Sequence, residues 1–318
     1  MSEIRESPEN TILNKSTISG LISWGNRILQ QHGIDSSRLD AEIILSHLLG
    51  CKRIDLYLHP DKPVGNTISV NYKKGIQKRA MHMPVQYITN HAEFMSMDFS
   101  VDERVLIPRP ETEFLVEAVI RKSQLLSKEQ EITIVDIGAG SGNISITLVK
   151  HIGNARIFAT DISPDALEVA KANARKHQAH GKILFLCGDL YKPLEKCKLE
   201  SGVDFIVSNP PYVSHSEFDA LQEEVRCYEP YGALVSSQYG LQLFKRIISN
   251  AHVWLKPGGF LTFEVGEKQA QKVAHLIEDT GYFKKSELIK DYQQIYRIVI
   301  SQKKEEITQR PVVSLSNI

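Results

Sequence analysis

Apolar residues at Ile18, Leu21, Ile22, Ile28 and Leu29 recur at helical spacing and stop near Gly33, which predicts a first helix. Leu39, Ile43, Ile44, His47 and Leu48 share one face of a second, with Ser36 able to cap its start and Gly50 to end it. A third is expected over Ser69–Met81, carrying Lys73, Lys74, Lys78 and Arg79 as a solvated face. The period then changes. In F-M-S-M-D-F-S-V, Met95, Met97 and Phe99 alternate with Ser96 and Asp98, a strand pattern. With a strand over Gln86–Thr89 and a turn at Asn90-His91, it predicts a linking hairpin.

After Pro108, apolar runs alternate with helical segments. I-T-I-V-D-I, R-I-F-A-T-D, I-L-F-L-C-G-D, D-F-I-V-S-N and G-F-L-T-F-E-V read as strands, and Y-R-I-V-I-S ends the series. Helices follow Gly142, span D-A-L-E-V-A-K-A-N-A-R, and cover Leu241–Leu255 and residues 268–280. Near-continuous apolar strands with intervening helices predict an α/β fold: a doubly wound, mostly parallel sheet behind a small all-helical domain. The polar segment from Lys303 onward reads as a loose tail.

Composition narrows the class without choosing a function. The 318 residues are 42% hydrophobic and 24% charged, with zero net charge, so no whole-protein field draws the chain to nucleic acid. Cys51, Cys187, Cys197 and Cys227 have no C-x-x-C spacing. They read as reduced thiols rather than a disulfide framework or zinc site, and no metal is expected. The opening M-S-E-I-R-E-S-P-E-N lacks an apolar core, and no run approaches a membrane span of about 20 residues. The expectation is a soluble, cytoplasmic protein.

The chemistry concentrates at strand ends. V-D-I-G-A-G-S-G-N-I follows one strand and opens a helix, the context of a nucleotide-type loop. Gly138, Gly140 and Gly142 do not keep the dinucleotide spacing, and no P-loop lysine follows. They do permit a tight turn with backbone close to a ligand. Asp161 ends the second strand, 19 residues after Gly142, where a carboxylate can accept from both hydroxyls of a ribose. Asp189 ends the third and can accept from an exocyclic amine such as adenine N6. Asp136, before the glycines, can orient the loop or an ammonium. Any one of these could simply cap a helix, as Asp161 could near Pro164. Three converging strand ends favour a site for adenine, ribose and a charged tail.

The fourth strand stops at S-N-P-P-Y-V. Asn209 precedes proline and is pushed to extended backbone, and Pro210 has no N–H. The Asn209 side-chain oxygen and the Pro210 carbonyl then form two fixed acceptors for a substrate –NH2, with Tyr212 placed to stack on a planar group. Two acceptors can gather charge on a delocalised nitrogen as an electrophile approaches, with no base needed before transfer. An isolated N-P-P-Y would be a rigid turn; beside an adenosyl-type crevice the catalytic reading is preferred.

These residues carry a family resemblance. D-I-G-A-G-S-G, Asp161, Asp189 and N-P-P-Y resemble the class I S-adenosylmethionine-dependent methyltransferases that act on planar nitrogens. N-P-P-Y is shared with DNA adenine methyltransferases. R-L-D-A-E-I-I-L-S-H-L-L-G, P-V-Q-Y-I-T, A-E-F, L-I-P-R-P-E-T-E and Y-E-P…A-L, in this order between about residues 17 and 302, resemble the HemK/PrmC family. That resemblance implies N(5)-methylation of the glutamine in the Gly-Gly-Gln motif of peptide chain release factors, modulating translation termination. It implies that Gly138, Ala139, Gly140, Ser141 and Gly142 line the methionine part of S-adenosylmethionine, that Asp161 holds the ribose, and that Asp189-Leu190 hold the adenine. Asn209, also beside the cofactor, would hold the glutamine with Pro210, Pro211 and Tyr212. Leu190 stands where the family often has an aromatic residue, and Asn90 where it has glycine. Arg109 and Glu111 lie near the site without individual roles.

The expected organisation is a polar leader at 1–16, a helical substrate-docking domain at 17–84, a hairpin linker at 85–105, a methyltransferase domain at 106–302 and a polar tail at 303–318. Release factors are the expected partners, with no membrane and no direct nucleic-acid target. Two alternatives remain: an adenine N6-type nucleic-acid methyltransferase, which would flip a base into the pocket, and a non-catalytic scaffold.

Overall fold

The computed structural model describes residues 16–127 and 129–305. The chain forms two compact units: residues up to His91 together with Gln222–Tyr228, and Ala92–Leu221 together with residues from Glu229 on. The sequence pattern contains no sign that 222–228 group with the N-terminal helices. The expectations for residues 1–15 and 306–318 lie outside the described residues.

The first unit is helical: α1 (Ile18–Gln31), α2 (Ser37–Leu49), α3 (Arg53–Leu58), α4 (Asn66–Ala80) and α5 (Val85–Thr89). Thr17 caps α1, its side chain accepting from the Gly20 N–H at 3.2 Å. Tyr72 is fully buried against α1, and any side chain at Gly25 would meet its hydroxyl, so only glycine fits there. Gly50 ends α2 in the left-handed conformation, as expected. Ser36 sits at the N-cap position, but its hydroxyl donates to Asp40 Oδ2 at 2.8 Å instead of capping the backbone. Arg79 corrects the solvated-face reading. It is buried, donating from Nε to Asp40 Oδ2 at 2.7 Å and pairing through Nη2 with Glu224 Oε2 at 2.8 Å.

The hairpin differs from expectation. Val85–Thr89 is helical, ended by Asn90 at φ 57°, and the strands are β1 (His91–Phe94) and β2 (Met97–Ser100). Met95 and Ser96, at φ 50° and 58°, form the two-residue turn. A short apolar run such as Val85–Thr89 fits either period, and the left-handed Asn90 decides for a helix.

The second unit contains α6 (Glu111–Ser123), β3 (Ile132–Ile137), α7 (Asn143–His151), β4 (Ala155–Asp161), α8 (Pro164–Lys176), β5 (Ile183–Cys187), β6 (Val203–Ser208), β7 (Leu255–Glu264), β8 (Glu287–Lys290) and β9 (Tyr296–Gln302). Helices Gln242–Trp254 and Ala270–Glu278 flank β7 in sequence. The seven-stranded sheet has the order β5-β4-β3-β6-β7-β9-β8; β9 runs antiparallel to β7 and to β8. Both faces are covered. Ile134, Phe205 and Val207 join one core layer with α6, α7 and α8, while Val135, Val203 and Ile206 join another with the helices Gln242–Trp254 and Ala270–Glu278. Burial on both faces explains the continuous apolar runs. The tail expected from Lys303 begins too early: Lys303 is buried and its Nζ donates to the His252 and Leu255 carbonyls at 2.6 and 2.8 Å.

The strand order reverses between β3 and β6. Ile137 of β3 pairs with Ser208 of β6 on one side and Thr160 of β4 on the other, and Asp161 with Cys187 of β5. Four carboxyl ends are thus level at a topological switch point, where open α/β sheets bind ligands.

Candidate active site

The glycine turn after β3 is fixed to β4. Gly138 and Ala139 donate to the Thr160 carbonyl at 2.8 and 3.0 Å, and Gly140 donates to Asp161 Oδ2 at 2.9 Å. Gly138, Gly140 and Gly142 all have positive φ (83°, 52° and 81°), which explains the residue type at each. Gly142 also packs against Ala170, so a Cβ there would crowd α8. Asn173, fully buried on α8, donates to the Ser141 and Ser100 carbonyls, both at 2.9 Å, and clamps the turn to β2.

Asp161 does not cap α8. Ser163 does, accepting from the Ala166 N–H at 3.1 Å, with Pro164 in the first turn. Asp161 Oδ1 accepts instead from the Ser163 N–H at 2.9 Å, so its carboxylate bridges two strand-end loops. Burial pushes its pKa up, against the backbone N–H groups of Ser163 and Gly140. Asp136 is completely buried. Its Oδ2 accepts from the Ser145 hydroxyl at 2.6 Å, and its Oδ1 has no hydrogen-bond partner. Burial raises its carboxyl to about 7; the Ser145 bond opposes this and the nearby charge of Asp161 adds to it.

At the end of β6 the Ser208 hydroxyl donates to the Ile137 carbonyl at 2.6 Å, locking Asn209 beside the glycine turn. Asn209 Nδ2 donates to Thr112 Oγ1 at 3.2 Å, and Thr112 donates to Glu264 Oε2 at 2.5 Å. The Tyr212 carbonyl accepts from Gln269 Nε2 at 2.9 Å. Burial, then the adjacent Glu264, push its phenol above the ordinary tyrosine range. Arg109 donates to Glu229 Oε1 at 2.5 Å, joining two segments that the sequence only placed nearby.

One cavity of about 430 Å³ gathers most of the expected residues. Gly138, Ala139, Gly140, Ser141, Asp161, Asp189, Leu190, Asn209, Pro210 and Pro211 line it; Gly142 and Tyr212 do not. The sequence reading missed Thr112, Ile162, Arg246 and Ile247 on the wall. Ile162, 73% exposed, follows the strand-end Asp161, and only that position beside the carboxylate marks it in the sequence, since its exposure is decided by the fold. Arg246 donates to Asp189 Oδ2 at 2.5 Å, a pairing no local pattern announces. Glu264 was signalled by its charge at the end of an apolar strand. Among the described residues no helix is long and apolar enough to cross a membrane.

Comparison with known proteins identifies two domain families in the chain. Residues 20–89 match the PrmC N-terminal domain and residues 112–226 the methyltransferase small domain. The release factor glutamine methyltransferase of Rhodopirellula baltica is 38% identical, over 90% of this chain and 96% of its own length. Those of Koribacter versatilis and Moorella thermoacetica are 38% and 36% identical, over 84% and 88% of this chain and 92% and 96% of theirs.

Proposed function

The chain belongs to the release factor glutamine methyltransferase family, and from that premise we propose that it methylates the Gly-Gly-Gln glutamine of peptide chain release factors at its side-chain nitrogen, modulating translation termination. The carrying observation is that Asn209 and Pro210 line the same cavity as Gly138, Gly140, Asp161 and Asp189. Methyl donor and acceptor groups can therefore meet at the β3–β6 switch point.

The residues fit S-adenosylmethionine. Asp136 does not line the cavity; its buried carboxylate accepts from Ser145 of α7 and so fixes the glycine turn from behind. After binding Gly140 and Ser163, each oxygen of Asp161 keeps a lone pair for a ribose hydroxyl. Asp189 Oδ1 remains for an adenine amino group while Arg246 holds Oδ2. Leu190 and the exposed Ile162 offer apolar contact to the ring in place of an aromatic stack. Gly138, Ala139, Gly140 and Ser141 hold the methionine end, and Gly142, outside the cavity, shapes the turn. When bound, S-adenosylmethionine supplies an electrophilic methyl group on a sulfonium, with S-adenosylhomocysteine as the product.

Asn209 Oδ1 and the Pro210 carbonyl accept the two hydrogens of the glutamine –NH2, and Pro210 and Pro211 hold them in direction. During methyl transfer these acceptors would stabilise the positive charge growing on the glutamine nitrogen, and would release its proton to water afterwards. Tyr212, next after the two prolines, anchors this segment by accepting from Gln269 Nε2 at its carbonyl. The helical unit docks the release factor, a reading supported by its match to the PrmC N-terminal domain. The cytoplasm, where release factors act, is the compartment this activity requires, and nucleic acid is not a substrate.

Incubation with labelled S-adenosylmethionine and a release factor tests the reading. One methyl on the Gly-Gly-Gln glutamine is expected. An unlabelled release factor from enzyme that still binds S-adenosylhomocysteine would overturn it, and label in adenine would point to a nucleic-acid substrate.

A further inference from the structure

Thr112 stands between two side chains from distant strands. Its hydroxyl donates to Glu264 Oε2 at 2.5 Å, and its oxygen accepts from Asn209 Nδ2 at 3.2 Å. Thr112 and Glu264 are each 1% exposed, so no bulk water competes for these bonds. A hydroxyl has one proton. An ionised Glu264 has none to give, so the Thr112 proton goes to it, and the Thr112 oxygen can only accept from Asn209. The amide must turn its –NH2 end to Thr112, which leaves Oδ1 as the outward acceptor.

We propose that Glu264 and Thr112 are positioning residues that set the amide orientation of Asn209 through this relay; the inference rests on the acceptor role of Asn209 given above and deepens it. A reversed amide would set its –NH2 against the substrate –NH2, donor against donor, and the charge-gathering contact would be lost.

The relay has a sign that depends on proton occupancy. Burial raises the Glu264 carboxyl to about 7, and the Thr112 bond opposes the rise. Glu111 of α6 raises it further, while Arg297 of β9 and Arg109 before α6 pull it down. Tyr212, whose own phenol is pushed up by Glu264, also faces it and stays neutral. A protonated Glu264 can donate to the Thr112 oxygen. The Thr112 proton is then released toward Asn209, where it is satisfied only by Oδ1. Transfer therefore falls as the pH drops through about 7.

Steady-state methylation of a release factor by the full chain tests this, with S-adenosylhomocysteine binding measured in parallel. Thr112→Val should lower kcat/KM for the release factor by about 10- to 100-fold and change S-adenosylhomocysteine affinity by less than about 2-fold. Thr112→Ser, which keeps the hydroxyl, should recover most of the loss. Glu264→Gln should abolish the acid limb near pH 7 in kcat, because its side chain no longer titrates. Unchanged kcat/KM in Thr112→Val, or an acid limb that persists in Glu264→Gln, would overturn the relay while wild-type transfer to glutamine left the functional reading standing. The wild-type profile serves where a variant does not fold, since flat activity from pH 6 to 8 would also sink the proposal.

Discussion

Arg109 and Glu229 lie 120 positions apart and form an ion pair at 2.5 Å, with the Glu229 side chain only 1% exposed. The second Glu229 oxygen accepts from the Ile107 N–H at 3.3 Å, so one carboxylate holds both the backbone and a side chain of the I-P-R-P approach to α6. That approach delivers Thr112 to Asn209.

Removing the Glu229 carboxylate strands a partly buried guanidinium. Glu229→Ala is expected to cost about 3 kcal/mol of stability. It should also lower kcat/KM, because the α6 start loses its anchor. Urea denaturation and a methylation assay measure the two effects.

Asp161 joins two loops and keeps acceptor capacity for a ribose. Asp161→Ala should weaken S-adenosylhomocysteine binding by about 10- to 100-fold, the loss associated with charge-assisted hydrogen bonds. Titration calorimetry checks it, and Asp161→Asn should fall between wild type and Ala.

Gly240 and Gly33 separate backbone strain from steric contact. Both have positive φ, 76° and 72°, but a Cβ at Gly240 would lie 1.9 Å from the Tyr212 carbonyl oxygen, while one at Gly33 meets nothing. Gly33→Ala should cost about 1 kcal/mol. Gly240→Ala should cost more and reduce transfer as well, by displacing Tyr212. Thermal unfolding and activity of the two variants are the comparison.

Asp136 and Glu264 both have carboxyls raised to about 7 by complete burial. A raised folded-state pKa contributes stability that is present below the unfolded value and lost as pH rises through the folded one. These two groups therefore make the protein less stable as pH goes from about 5 to 8, each by at most about 3 kcal/mol. Asp136→Asn or Glu264→Gln should flatten the dependence, read as denaturation midpoints across that range.

Much of this was legible in the chain because its causes are local. Both faces of β3, β4 and β6 are buried, so continuous apolar runs marked them; the positive φ of Gly138, Gly140 and Gly142 demanded glycine, and prolines after Asn209 ended β6. Local signals also misled where two periods fit one run, as at Val85–Thr89, and where a basic helix position turned inward, as at Arg79. What tertiary structure alone decided is which strand ends became neighbours. The reversal between β3 and β6 set Asn209 beside the glycine turn, and α6 and β7 brought Thr112 and Glu264 to it from 97 and 55 positions away. Hydrogen-bond partners that far apart leave no periodicity in the chain. Their pairing follows from sheet register and from the requirement that a buried polar group find a partner.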